Sequence, residues 1–345
     1  MRSIASFIHR CTAEGAFPGA VWIVGNKDVV LETGCAGVLG AGLGSVRPDS
    51  IYDIASLTKI FVTLALMRQM EDGLIRMEDT AGFFLPQWRG APKAHITIKE
   101  LLTHTSAMPS LTGLYRYAPT RGAMLEAIRL CPPRADSPDR VLYTCEGYIL
   151  LGEIIAAIDT LPLDEVIVKR VLEPLGMKDT CYRPPPILRE RIAAAEQCPW
   201  RARLLRGEVH DENAFVMGSV SGNAGIFSTA ADLAGIAAFM LGSGNADGFL
   251  QTATVNMMIR NYTAGRGQNR GLGWLLAGPG SPAGDIMPAD SFGHTGFTGT
   301  SIWIDPVSGI YGVLLSNRVH PSRDNGKIFR VREIFHNLIA LNYGR

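Results

Sequence analysis

The sequence predicts an α+β fold, with an antiparallel β-sheet built from both chain ends, flanked by helices, and a helical subdomain between them. Three observations predict it. Strand-like alternation with turn signals occurs near the start and again after Gly271. Helix-spaced apolar residues fill most of the intervening chain. The run IYDIASLTKIFVTLALMRQMEDG (51–73) reads as a buried helix joining the two parts. The whole chain, 1–345, is expected to form one domain. Its α/β part covers about 1–60 and 270–345, its mostly helical part about 61–245, and a variable segment about 250–292.

Residues 3–15 have the spacing of a short amphipathic helix. PGAVWIVGNKDVVLETGCAG then predicts a hairpin, with strands near 19–25 and 28–36 turning at Asn26-Lys27-Asp28. The glycine-rich GVLGAGLGS (37–45) lacks the strand-GxGxxG-helix context of a dinucleotide loop and is read as a surface turn. In the 51–73 run Ile60, Phe61, Leu64, Met67 and Met70 form the apolar pattern, and Gly73 can end the helix. Further helices are predicted at 96–109 (short, ending in a loop), 143–158, 162–177 and 231–242. The segments 133–140 and 183–190 are too proline-rich for helix. From Gly271, GLGWLLA and TSIWIDPVSGIYGVLLSN predict strands, the latter a hairpin turning at Asp305-Pro306. An amphipathic helix follows at 328–341.

Composition narrows the function classes. Hydrophobic residues are 47% and charged residues 19%, as in a soluble enzyme, and the formal net charge is +1 with no dense Lys/Arg run. That excludes a nucleic-acid partner, which calls for a concentrated basic face. No apolar stretch approaches the roughly 20 residues of a spanning helix, so no membrane partner is expected. The first 21 residues lack a signal peptide's apolar core, because His9, Arg10 and Glu14 interrupt it; a cytoplasmic setting is the expectation. Six scattered cysteines show no metal spacing and read as free thiols. No cofactor or metal is expected, and oligomeric state is left open.

Lys59 opens the apolar run three residues after Ser56. A lysine facing an interior is costly unless something pairs with it or uses it. On a helix the two form an i, i+3 pair on one face, a hydroxyl beside an amine, which can make a nucleophile. Two further segments complete a set: Tyr143-Thr144-Cys145 before the helix YILLGEII, and His294-Thr295-Gly296 in FGHTGFTGTSIWIDP.

Ser56-Leu57-Thr58-Lys59 as an SxxK motif, with these two segments in order, resembles the serine penicillin-recognising enzymes. The likeness is to the class C β-lactamase-like branch, with its esterases, D-amino-acid peptidases and transesterases. LLTHTSAMP, HDENAFVMGSVSGNAGIFSTAADL and LLSNRVHPSRDN are similar to the same branch, so the likeness runs from about residue 15 to 340. It implies a β-lactamase/transpeptidase-like fold and two-step acyl transfer through Ser56. Lys59, its pKa lowered by burial, would share in taking the serine proton, and Tyr143 would be the phenolate partner. The backbone N–H groups of Ser56 and Phe297 would form the oxyanion hole. Cys145, His294, Thr295 and Gly296 would contact a small-molecule acyl substrate, and 250–292 would shape the cleft mouth.

Cys145 stands where β-lactamases of this kind commonly carry asparagine, and His294 where they carry lysine. A neutral imidazole grips a carboxylate less well than an ammonium. An ester, thioester or small amide is therefore favoured over a β-lactam or D-Ala peptide, with water or a second metabolite as acceptor. A non-catalytic acyl- or peptide-binding protein on the same scaffold is the reading from another class. His210-Asp211-Glu212 is read as a loop bordering the cleft and not as a metal cluster, and His104 and His320 as structural.

Overall fold

The computed structural model describes residues 3–134, 140–242 and 248–344; most of the loop expected at 133–140 lies outside them. The main sheet has six strands: β1 (Gly19–Asn26), β2 (Val30–Gly37), β3 (Leu275–Leu276), β4 (Phe292–Thr295), β5 (Ser301–Asp305) and β6 (Ile310–Ser316). Their order is β2-β1-β6-β5-β4-β3, and every pairing is antiparallel. The two chain ends meet where Trp22 of β1 lies opposite Leu314 of β6.

Strand β1 is buried along almost its whole length, which is why GAVWIVG reads as nearly continuous apolar sequence. Its side chains serve two cores by period-two alternation. Val21 and Ile23 join the core on the side of α2 (Thr58–Glu71), α3 (Glu146–Asp159) and α4 (Ala230–Met240). Ala20, Trp22 and Val24 join the core on the side of α1 (Ile4–Ala13) and α5 (Ile328–Tyr343). Asn26 closes the first hairpin, its Oδ1 accepting from the N–H of Asp28 and Val29 at 2.8 Å each; this delays the second strand to Val30. Asp305 does the same for the second hairpin, with the N–H of Val307 and Ser308.

The 51–73 run divides into three. Tyr52–Asp53 is a short strand paired with Ile226–Ser228 in a small second sheet. Ala55–Leu57 is one 3₁₀ turn, and α2 follows. From Thr58 to Met67 every residue of α2 is buried, so the helix is apolar all round, and Gly73 ends it in the left-handed conformation at φ +75°.

Other boundaries differ from expectation. The 162–177 helix is α-helical over Leu163–Ile167 and widens to a π-turn over Val168–Leu172. The proline-rich 183–190 segment carries a 3₁₀ helix, Pro186–Arg191, with proline at its tolerated N-terminal position. GLGWLLA contributes only the two-residue β3, and the 96–109 helix shortens to Ile98–Leu102 under a Thr97/Glu100 capping box. Among the described residues no helix is long and apolar enough to cross a membrane, and all six cysteines are free.

Candidate active site

The 3₁₀ turn puts Ser56 where the second sheet hands over to α2, and one turn on Lys59 is fully buried. The ammonium donates to Ser56 Oγ at 3.1 Å and to the Asn223 carbonyl at 2.9 Å, with Cys145 Sγ at 3.9 Å. The rings of Tyr143 and Tyr148 lie 5.1 and 5.6 Å from it, and both attract a cation. Burial by itself pulls Lys59 down, but the fields of Cys145, Tyr143 and Asp211 more than reverse it and hold the amine above the usual lysine range. This corrects the expectation of a lowered lysine. That direction favours Lys59 as a charged donor to Ser56.

Ser56 opens onto a cleft of about 350 Å³ that Tyr143, His294, Thr295, Gly296 and Phe297 also line. Tyr143 precedes α3 by three residues and lies outside it, on a segment tied to His104. The N–H of Leu142 donates to the His104 carbonyl at 2.8 Å, and the two rings lie 4.6 Å apart. So His104, read as structural from the sequence, underlies Tyr143. Cys145 is the residue brought elsewhere: its sulfur sits against Lys59, and burial pushes its thiol up. His294 is buried, with Nδ1 2.9 Å from the Thr295 carbonyl oxygen, and its ring lies 6.2 Å from that of Tyr143.

The two segments carrying the expected oxyanion donors are stitched together. Thr298 Oγ1 donates to the Asp53 carbonyl at 2.6 Å, and Thr300 Oγ1 to the Ile54 carbonyl at 3.2 Å. A side chain at Gly296 would collide with Thr300 Oγ1 and the Ile54 carbonyl, so only glycine permits this approach. Ala55 is held at φ +46°, an uncommon conformation for a residue with a Cβ, and the buried Asp53 carboxyl fixes it by accepting its N–H at 2.8 Å. Among the described residues the N–H groups of Ser56 and Phe297 meet no acceptor.

Sequence reasoning missed the charge around this cleft. Arg270, Arg318 and Arg332 line it, and neutral oxygens hold all three: Gln268 Oε1 for Arg270, backbone carbonyls for the others. Their positive charge therefore remains available to whatever enters. Phe297 packs between the Arg318 guanidinium at 4.2 Å and the His210 ring at 5.5 Å. His210 in turn meets Glu196, which Arg323 also pairs; that carboxylate is drawn down to about 2, its hydrogen bonds to His210 and Arg323 outweighing burial. His210 does not line the cleft itself but packs on Phe297, which does.

The histidines give a pH prediction. Burial, with the Arg270 and Lys59 charges, holds His104 and His294 well below the usual value. His336, packed on Trp303 in the opposite core, is pushed down to about 4, chiefly by burial. Unfolded imidazoles bind protons near 6.5 and these folded ones do not, so stability rises with pH through this window and falls on acidification. His336 alone is worth about 3 kcal/mol, fully present above 6.5 and lost by about pH 4. Thermal melts from pH 8 to 4 should show a falling midpoint below about 6.5; a flat midpoint would contradict the three neutral imidazoles.

Comparison with known proteins agrees with this geometry. The family described as Beta-lactamase matches residues 4–335. An Escherichia coli (strain K12) protein named "Putative D-alanyl-D-alanine carboxypeptidase" is 32% identical over 308 residues, 79% of this chain and 70% of that protein. Among solved structures, EstCE1, a hydrolase with promiscuous acyltransferase activity, superposes with a TM-score of 0.78 at 19% identity, covering 96% of this chain and 97% of that one. An octameric penicillin-binding protein homologue from Pyrococcus abyssi reaches 0.78 at 22% identity, covering 99% and 77%.

Proposed function

The chain belongs to the Beta-lactamase family, and from that premise we propose that it is a serine acyl hydrolase or acyltransferase working through an acyl-Ser56 intermediate on an ester, thioester or small amide. The observation that carries this reading is the Ser56 hydroxyl on a buried, charged Lys59, at the edge of a cleft that Tyr143 also lines. A pure binding protein has no use for that arrangement, since a buried cation costs several kcal/mol unless its contacts repay it.

The residues divide the work as follows. In this reading the Tyr143 oxygen is the base that takes the Ser56 proton as Oγ bonds to the acyl carbon, and the Lys59 ammonium offsets negative charge growing on Oγ. The tetrahedral oxyanion is held by the N–H of Ser56 and Phe297, each worth about 3 kcal/mol. Collapse breaks the bond to the leaving oxygen, sulfur or nitrogen, which receives the proton from Tyr143. Water or a second acceptor then repeats the sequence on the acyl-Ser56 ester. Cys145 acts beneath the nucleophile, while Thr295 and Gly296 form the substrate edge.

A D-alanyl carboxypeptidase is the second reading, favoured by the relatives' name and by the three arginines. These supply the grip on a carboxylate that a neutral His294 does not. A panel of p-nitrophenyl esters, nitrocefin and D-alanyl amides, followed by intact-mass measurement and peptide mapping, tests both. Ester turnover with an adduct on Ser56 supports the first reading, and release of D-alanine the second. Rapid nitrocefin hydrolysis would make it a β-lactamase, and an unmodified protein throughout would leave it a binding scaffold. Tyr143→Phe should lower kcat on the preferred ester by roughly 10²–10³ with KM nearly unchanged. Steady-state rates within twofold of wild type would remove the tyrosine from the relay.

A further inference from the structure

Arg332 sits on α5, on the far side of β4 and β5 from Lys59, and is buried. One guanidinium nitrogen donates to the Gly296 carbonyl at 2.5 Å and to the Thr300 carbonyl at 2.9 Å, while its Nε meets no partner among the described residues. The Gly296 carbonyl and the Phe297 N–H are the two ends of one peptide unit. A charged donor on the oxygen draws electron density through the amide and makes the N–H at the other end a stronger donor. The Ser56 N–H belongs to a peptide whose carbonyl, among the described residues, receives the backbone N–H of Thr58 and no charged donor.

We propose that Arg332 is a positioning residue for the oxyanion hole, polarising and orienting the Gly296–Phe297 peptide so that the Phe297 N–H becomes its stronger donor. This rests on the reading that Ser56 is acylated and that Phe297 faces the oxyanion. A guanidinium buried in a core with an unpartnered Nε is costly, and a leucine or methionine there would pack at lower cost. The carbonyls of Gly296 and Thr300 are the first and last of the five-residue turn that presents Phe297, so one guanidinium sets both ends of it. Gly296 N–H also donates to Thr300 O at 2.8 Å, which closes the turn around the same point.

The test compares wild type with Arg332→Lys and Arg332→Met on p-nitrophenyl acetate, a neutral ester that does not engage the arginines of the cleft as an anion would. Losing an oxyanion donor outright costs a hundredfold or more, and weakening one by a fraction should cost about three- to tenfold. The expected result is that loss in kcat for Met, a smaller one for Lys, and KM within twofold. A phenylboronic acid, which binds Ser56 as a tetrahedral adduct, should weaken by the same factor. The infrared carbonyl stretch of a ¹³C-labelled acetyl-Ser56 should move to higher wavenumber, because the carbonyl is less polarised. An unmoved stretch, or a loss confined to KM, would overturn the proposal.

The wild-type protein gives a readout independent of mutant folding. The ¹³C resonance of the Gly296 carbonyl should lie downfield of carbonyls bonded to neutral donors; a resonance among them overturns the proposal whatever the variants do. If wild type itself takes up no acetyl group, the acyl-enzyme reading fails, and the carbonyl resonance still reports on Arg332.

Discussion

Ser56→Ala leaves the protein folded and without an acyl adduct: its mass stays unshifted after incubation with a p-nitrophenyl ester or a fluorophosphonate, and turnover falls by roughly 10⁴ or more. The size of the loss follows from what the hydroxyl does. In the proposed mechanism it is the atom that forms the covalent bond, and nothing beside it can replace it. Cys145, the neighbouring sulfur, is a half-buried thiol that faces Lys59 and does not line the cleft; burial pushes it up, and thiols attack as thiolates. The fold survives because the turn Ala55–Leu57 owes nothing to that side chain. The N–H of Leu57 bonds the Ile54 carbonyl, and Ala55 is fixed by Asp53. The midpoint of thermal unfolding should therefore change by no more than about 1 kcal/mol allows. Equal labelling of wild type and Ser56→Ala would move the nucleophile elsewhere and end the mechanism proposed for this cleft.

The Ser56–Lys59 pair was legible because the two lie one helical turn apart, where spacing along the chain is spacing in space. The two hairpins were legible for a similar reason: Asn26 and Asp305 are local turn chemistry, and the alternation of β1 and β6 records which core each side chain enters. What sequence reasoning missed is set by distant partners. The surroundings of Lys59 include Cys145 and Asn223, 86 and 164 positions away, and no local pattern contains them. The arginines at 270, 318 and 332 converge only because β3, β6 and α5 meet at one end of the sheet; in the sequence they are ordinary scattered charges. The π-turn at Val168–Leu172 is invisible for another reason, since the same side chains satisfy a π-turn and an α-helix.

Lys59→Met should cost roughly a thousandfold in the acylation rate while the chain still folds. Methionine fills nearly the same tunnel between Tyr143, Tyr148 and Cys145, so α2 keeps its packing. The Asn223 carbonyl and Ser56 Oγ each lose a donor; for the buried carbonyl the penalty is about 1–3 kcal/mol. Against this, a buried cation no longer has to be kept from water, so net stability moves little. Catalysis has no such compensation. As the proton leaves Ser56, negative charge grows on an oxygen 3.1 Å from the ammonium, in a site screened from solvent on the lysine side. An attraction at that distance in a poorly screened site is worth several kcal/mol, and methionine supplies none of it. The same argument separates the two roles a lysine can play. Were Lys59 the base, raising the pH would favour the wild-type rate by freeing the amine. As a donor it requires the charged form, so the advantage of wild type over Lys59→Met should hold undiminished from pH 6 to 10. Stopped-flow acylation of wild type and Lys59→Met across pH 6 to 10 reads both. A wild-type rate that climbs with the fraction of free lysine, or a methionine variant acylating at near-normal speed, would return the proton transfer to the amine or remove the residue from the chemistry.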